Sequence, residues 1–256
     1  MRIGAHVSSE SPLAEAKTRQ ADLVQIFLSD PQSWKKPLPR DDAEELISAD
    51  TAIYVHASYL VNVGSPNNRI RIPSRKIIAN TLEAAAAVGA AGVIVHGGHI
   101  DADEDLSVGF ERWRKALDSV DLVVPLLIEN TAGGGNAIVR ELDNYGRLWE
   151  EIGGRGVGVC LDTCHAWAAG EDLATVAERL SQMTGGIDLI HCNDSRDPFG
   201  SNRDRHANLS AGEIPLELVV DVVRAADAPV VVETPGGAAD QAADIALLRE
   251  HLATAG

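Results

Sequence analysis

The sequence predicts an α/β chain folded as one (β/α)8 TIM barrel over residues 1–256, and three observations predict it. Short Val- and Ile-rich runs recur at regular spacing, stretches with helical periodicity separate them, and glycines such as Gly89 and Gly185 close several of those stretches. Eight alternating units in roughly 250 residues is the size and rhythm of that barrel. An open doubly wound sheet is the structural rival. It would not naturally produce eight equivalent units, and no glycine fingerprint for a dinucleotide follows the first run. No linker, low-complexity tract or break in composition divides the chain into further domains.

In chain order the runs place strands at 2–6 (RIGAH), 22–27 (DLVQIF), 52–56 (AIYVH), 92–96 (GVIVH), 125–129 (PLLIE), 157–162 (VGVCLD), 187–192 (IDLIHC) and 230–234 (VVVET). Each is short and apolar through its middle, as a strand buried on both faces should be. Apolar residues at helical spacing place helices between them, among others at 75–89, 110–119, 173–183 and 215–225. Three connections that follow strands are longer than a minimal turn: 28–40, 57–72 and 193–213. They are polar, carry Gly, Pro and Asn, and hold most of the clustered Arg and Lys. Loops after strands form the active-site face of a barrel, so the positive charge of the chain gathers where chemistry would occur.

Composition excludes several classes. A chain of 256 residues with 45% hydrophobic content is not disordered, and three cysteines do not make a disulfide scaffold. No apolar run approaches the ~18–20 residues that span a bilayer, and MRIGAHVSSE lacks a signal-peptide core, so cytoplasmic residence with reduced thiols and no membrane partner is expected. A formal net charge of −16 argues against a generally basic protein that coats nucleic acid. It leaves room for a local cationic groove, or for carboxylates whose charge is cancelled by bound metal.

The strands end in His56, His96, Glu129, Asp162, His191 and Glu233; His165 sits just past Asp162, and Asp204 and His206 stand two apart in the last long loop. Imidazole and carboxylate are ligands for Zn, Mn or Fe, and nine such groups converging on one mouth exceed what a single ion needs. Two or three divalent ions would fit. A lone His on a strand is more often a hydrogen-bonded core residue, and His6 is read that way; His99 and His251 fall outside the set. Buried carboxylates without cations would be heavily penalised, which makes the joint pattern informative where each residue alone is not. Cys160, Cys164 and Cys192 match no zinc-finger spacing and read as small buried residues. Gly133-Gly134-Gly135 lacks the Lys-Ser/Thr pair of a phosphate cradle and reads as a tight turn.

With these residues in view, GAHVS (4–8), YLVN (59–62), VHGG (95–98), IENTAG (128–133), CLDTCHAWAAG (160–170), HCNDS (191–195), GSNRDRHANLSAGEI (200–214) and ET (233–234) resemble the endonuclease IV family of apurinic/apyrimidinic endonucleases. The resemblance runs from residue 2 to about 250. It implies a barrel holding three zinc ions at its C-terminal face. The first would take His56 and His96 and share Glu129 with the second; the second would add Asp162, His191 and Glu233; the third would be held by His165, Asp204 and His206. It further implies base-excision repair of double-stranded DNA: cleavage 5′ to abasic sites through a metal-bound hydroxide, leaving a 3′-hydroxyl and a 5′-deoxyribose phosphate, and removal of blocked 3′ ends. Glu129 or Glu233 would orient or deprotonate the attacking water. Tyr59 and Leu60 align with residues wedged into the DNA, and Arg203 and Arg205 are expected to meet phosphates. Two departures stand out. Gln32 occupies the place of a loop Arg that probes the DNA, and His96-Gly97-Gly98 replaces the family's usual His-Pro-Gly. A monomer is expected. A sugar isomerase or epimerase of the related barrels is the alternative, separated by its lack of the Asp204/His206 pair and the basic 193–213 loop. A DNA-damage binding module without turnover is a third reading, which only assay of cleavage separates.

Overall fold

The computed structural model describes residues 1–253. In chain order its strands are β1 (Ile3–His6), β2 (Leu23–Ile26), β3 (Ala52–His56), β4 (Gly92–His96), β5 (His99–Ile100), β6 (Leu126–Glu129), β7 (Asn136–Ala137), β8 (Val157–Asp162), β9 (Leu189–His191), β10 (Asp194–Ser195), β11 (His206–Ala207) and β12 (Val230–Val232). Eight of them close into one parallel barrel in the order β1-β12-β9-β8-β6-β4-β3-β2. The fold is the (β/α)8 TIM barrel that the periodicity predicts. The other four strands form two antiparallel ribbons, β5 with β7 and β10 with β11, both in loops beyond the C-terminal ends of barrel strands.

The helices are α1 (Pro12–Arg19), α2 (Ala43–Ser48), α3 (Asn68–Ala87), α4 (Leu106–Leu117), α5 (Leu142–Ile152), α6 (Thr163–Ala169), α7 (Leu173–Thr184), α8 (Leu216–Ala226) and α9 (Ala238–Ala253). Side-chain caps set several starts: Asn67 accepts from Arg69 N, Asp105 from Ser107 N and Asp172 from Ala174 N. The Asn67 cap starts α3 at residue 68, earlier than the apolar spacing at 75–89 indicates, and it shortens the 57–72 loop. Gly170 and Gly185 end α6 and α7 in the left-handed conformation.

Most of the core lies between strands and helices, where Ile53, Val55, Leu82, Trp113, Leu148, Val159 and Leu248 are buried. A second, smaller cluster fills the barrel itself: Leu23, Tyr54, Ile94, Leu127, Cys160, Leu189 and Val231. The three cysteines are free and buried, as the sequence predicts. Among the described residues no helix is long and apolar enough to cross a membrane.

Candidate metal centre

Side chains alternate along a strand, so the residue two places beyond an inward-facing one faces inward again. Two places beyond the apolar barrel cluster stand Gln25, His56, His96, Glu129, Asp162, His191 and Glu233, one strand repeat nearer the C-terminal mouth. On β1, His6 stands two beyond Gly4 and is in register with Gln25. Period-two geometry therefore converts one apolar layer into one layer of imidazoles, carboxylates and an amide.

The structure brings all nine sequence-predicted ligands together. Ligand atoms of His56, His96 and Glu129 lie within 4.8 Å of one another, as do those of Glu129, Asp162, His191 and Glu233. The buried Glu129 joins the two groups: its Oε2 is 3.3 Å from His56 Nε2 and 3.2 Å from His96 Nε2, and its Oε1 is 3.0 Å from His191 Nδ1. Around the third set the grouping is broader than expected. Asp162 joins His165 and His206, and Cys164 joins Asp204 and His206. Asp204 still spans the pair, 3.1 Å from both His165 Nε2 and His206 Nε2. Those two nitrogens are buried without a partner in hydrogen-bond geometry. Imidazole nitrogens aimed into a shared space, with carboxylate oxygens around them, fit divalent cations. A cavity of about 260 Å³ lined by His56, His96, His165, Asp204, His206 and Glu233 is the space they surround.

The electrostatics agree with that fit. Burial pushes Glu129 up, but the charges of His191 and His96 and hydrogen bonds from His165 and His191 hold it well below the usual carboxylate range. Burial likewise opposes Glu233, which His191 draws down to about 2. At Asp162 burial prevails over His165 and His206 and the pKa rises. Against their own burial, His165 is held well above its ordinary value by Asp162 and Asp204, and His206 is raised to about 9 by Asp204 and Asp162. Asp162 and Asp204 thus favour the protonated forms of the neighbouring His165 and His206. Metal binding would displace those protons, since imidazole ligates only when neutral.

Further contacts orient the ligands, and here the structure adds residues that sequence reading missed. His56 Nδ1 bonds the Ala57 carbonyl at 2.7 Å and His165 Nδ1 the Asn130 carbonyl at 2.9 Å, which leaves both Nε2 atoms facing the centre. The Asp162 side chain caps α6 at His165 N and accepts from Asn193 Nδ2, both at 2.7 Å, while Asn193 Oδ1 accepts from Glu233 N at 2.8 Å. Asn130 Oδ1 accepts from Asp162 N at 2.7 Å. Gln25 touches Glu233, His191 and His6. His6 is hydrogen-bonded as expected, yet it faces the centre, and burial lowers its pKa to about 4. Asn130 and Asn193 stand one and two residues past ligands. Strand alternation was the signal that could have found Gln25.

Gly97 explains one departure from the family pattern. A Cβ there would meet Val139 Cγ2 at 2.0 Å, and the Gly97 N–H donates to Glu129 O at 3.1 Å. Proline would bring a Cβ and remove that donor.

Tyr59 is 53% exposed and lies over the histidines, its ring 5.9 Å from His96 at 22° and 5.4 Å from His56. With the half-buried Leu60 it lines a cavity of about 570 Å³ that opens beside His96, His165 and Asp204. Gln32 is exposed on the neighbouring loop, tied to this one by Tyr59 N and Ser58 Oγ donating to Pro31 O at 3.0 and 2.7 Å. Arg203 and Arg205 are exposed but share one buried carboxylate: Arg205 Nε is 2.7 Å and Arg203 Nη1 3.4 Å from Asp197. Sequence reading found the two cations and missed their common anchor.

A family model described as a xylose isomerase-like TIM barrel matches residues 13–251. Relatives called probable endonuclease 4 include that of Mycobacterium ulcerans, 59% identical over 253 residues, covering 98% of this chain and 99% of the relative. That of Mycobacterium tuberculosis is 58% identical with the same coverage. Among solved structures, endonuclease IV from Thermus thermophilus superposes with a TM-score of 0.86 at 32% identity, covering 100% of both chains. A D-tagatose 3-epimerase-like protein superposes at 0.83 with 20% identity, covering 99% of this chain and 98% of its own, a likeness of fold.

Proposed function

We propose a reaction for this chain from the premise that it belongs to the endonuclease IV family: it cleaves duplex DNA at the phosphodiester 5′ to an abasic site. The products are a 3′-hydroxyl and a 5′-deoxyribose phosphate, and blocked 3′ ends are cleared at the same centre. One observation carries the reading: nine ligand-type side chains converge on one mouth, with buried His165 and His206 nitrogens facing the Asp204 carboxylate outside hydrogen-bond geometry.

His56, His96 and Glu129 would hold one ion, Glu129, Asp162, His191 and Glu233 a second, and His165, Asp204 and His206 a third. The nitrogen-and-oxygen donor set favours zinc. When bound, such ions supply a strong nucleophile by lowering the pKa of water to roughly 7, and they offset charge on the reacting phosphate. The residues divide the remaining work. Glu129, 1% exposed, ties two ligand sets together and is sealed from substrate, whereas the Glu233 side chain, 14% exposed, can meet the attacking water and accept its proton. Tyr59 and Leu60, at the rim of the larger cavity, fill the gap left by a missing base. Rotating a sugar out of the stack costs least where the base is already absent, which favours abasic DNA. Arg203 and Arg205 meet the backbone with the surplus charge that Asp197 leaves them. The protein acts as a monomer.

Incubation with a duplex carrying one abasic-site analogue tests this. The expected product ends in a 3′-hydroxyl, and prior chelation abolishes it. An uncut duplex with metal-replete protein would overturn the reading.

A further inference from the structure

The inward position of β2 at the mouth is held by Gln25, which is fully buried. Its amide nitrogen donates to Glu233 Oε1 at 2.7 Å and meets His6 Nδ1 at 3.0 Å. Its carbonyl oxygen lies 2.8 Å from His191 Nε2. A primary amide has two N–H donors and one carbonyl, so these contacts use both donors and engage the oxygen once.

Only one orientation is consistent with these neighbours. A carboxylate can only accept, so the nitrogen must face Glu233 and the oxygen must face His191. His191 then has to donate from Nε2, which leaves Nδ1 as the nitrogen facing Glu129 at 3.0 Å and Glu233 at 3.3 Å. His6 has to accept at Nδ1, so its proton sits on Nε2. His56, His165 and His206 have their rings set by backbone carbonyls at Nδ1 and present Nε2; His191 is turned the other way.

We propose that Gln25 is a positioning residue for the metal centre, one amide that simultaneously fixes the Glu233 carboxylate, makes His191 ligate through Nδ1, and keeps the proton of His6 on Nε2. The proposal rests on the metal-centre reading above. An aliphatic residue at this position would preserve the barrel packing and release all three partners. His6 Nδ1, 3.7 Å from Glu233 Oε1 and no longer engaged by the amide, would then be free to donate to that oxygen, and its proton would move to Nδ1.

Two measurements on zinc-loaded protein test this. Long-range proton–nitrogen NMR of the imidazole rings should show wild-type His6 and His191 both protonated at Nε2. In Gln25→Met the His6 proton should appear on Nδ1, and zinc affinity by competition with a chromogenic chelator should fall about 10- to 100-fold, the usual loss when a ligand's orienting partner is removed. A purely structural role would lower thermal stability and leave ring tautomers and zinc affinity as in wild type; that result overturns the proposal. The wild-type spectrum decides independently of how the variant folds, because His6 protonated at Nδ1 in zinc-loaded wild type refutes it outright. Wild-type protein that binds no zinc refutes the metal-centre reading, and the proposal with it.

Discussion

Two layers of the barrel interior, one strand repeat apart, share a backbone and differ in everything else. The lower one (Leu23, Tyr54, Ile94, Leu127, Cys160, Leu189, Val231) is apolar and tightly closed. The upper one (Gln25, His56, His96, Glu129, Asp162, His191, Glu233) holds clustered imidazoles and carboxylates, with an amide that orients them. The apolar floor keeps water from beneath the centre, so interactions among the groups above it are less screened than at a surface. The mouth contributes chemistry, and the floor contributes stability and rigidity. Registry along each strand is what separates them.

The sharpest way to break that division is Glu129→Ala. Loss of the carboxylate common to two ligand sets should abolish cleavage and remove bound metal while leaving the fold intact. Wild-type rate and metal content in this variant would show that Glu129 is not the bridge. The complementary change is Leu127→Ala on the floor, two residues back along the same strand. A Cβ added at Gly92 or at Gly158 would approach the Leu127 side chain to 3.4 or 2.5 Å, so neighbouring strands already sit close and cannot collapse far into the vacated space. Urea unfolding should register a loss of about 2–5 kcal/mol, with metal content of the folded protein unchanged. A stable variant that has lost its metal would erase the distinction between the layers.

Outside the barrel the same contrast continues at the rim. Tyr59→Ala should weaken binding to a non-cleavable abasic duplex by about 1–3 kcal/mol, the scale of a lost stacking contact, without altering metal content. Gln32→Ala should do distinctly less, because an exposed amide offers neither a ring nor a charge. A fluorescent base opposite the lesion reads both; unstacking at the wild-type level in Tyr59→Ala would refute the wedge. The smallest effect is expected of Arg203→Ala with Arg205→Ala, which should flatten the dependence of affinity on salt. Asp197 already neutralises part of their charge, so an unchanged slope would remove this loop from the DNA interface.

How much of this was legible follows from the physics of each element. Ala52–His56, Gly92–His96 and Val157–Asp162 were readable to the residue, because a run buried on both faces ends abruptly where polar ligands begin. Six of the nine ligand-type residues stand out for the same reason, whereas His165, Asp204 and His206 lie outside the barrel strands and are marked by residue type alone; the structure brings all nine to one mouth. Glu233 falls one residue beyond β12, within the predicted 230–234 run. The start of α3 was hidden, since its first turn is polar and only the Asn67 cap marks it. Ala-rich α9 blurs its own periodicity and was not singled out. The roles of Gln25, Asn130 and Asn193 were illegible because they depend on partners far along the chain or across the barrel. The pairing of Arg203 and Arg205 with Asp197 needed the folded loop.

The central claim is that one mouth binds several divalent ions through these nine side chains. Elemental analysis of the purified, metal-replete wild-type chain tests it most directly. The account predicts about three zinc ions per chain, one for each of the three donor sets proposed above. A content of two or fewer would contradict it and favour the sugar-epimerase chemistry of the related barrels.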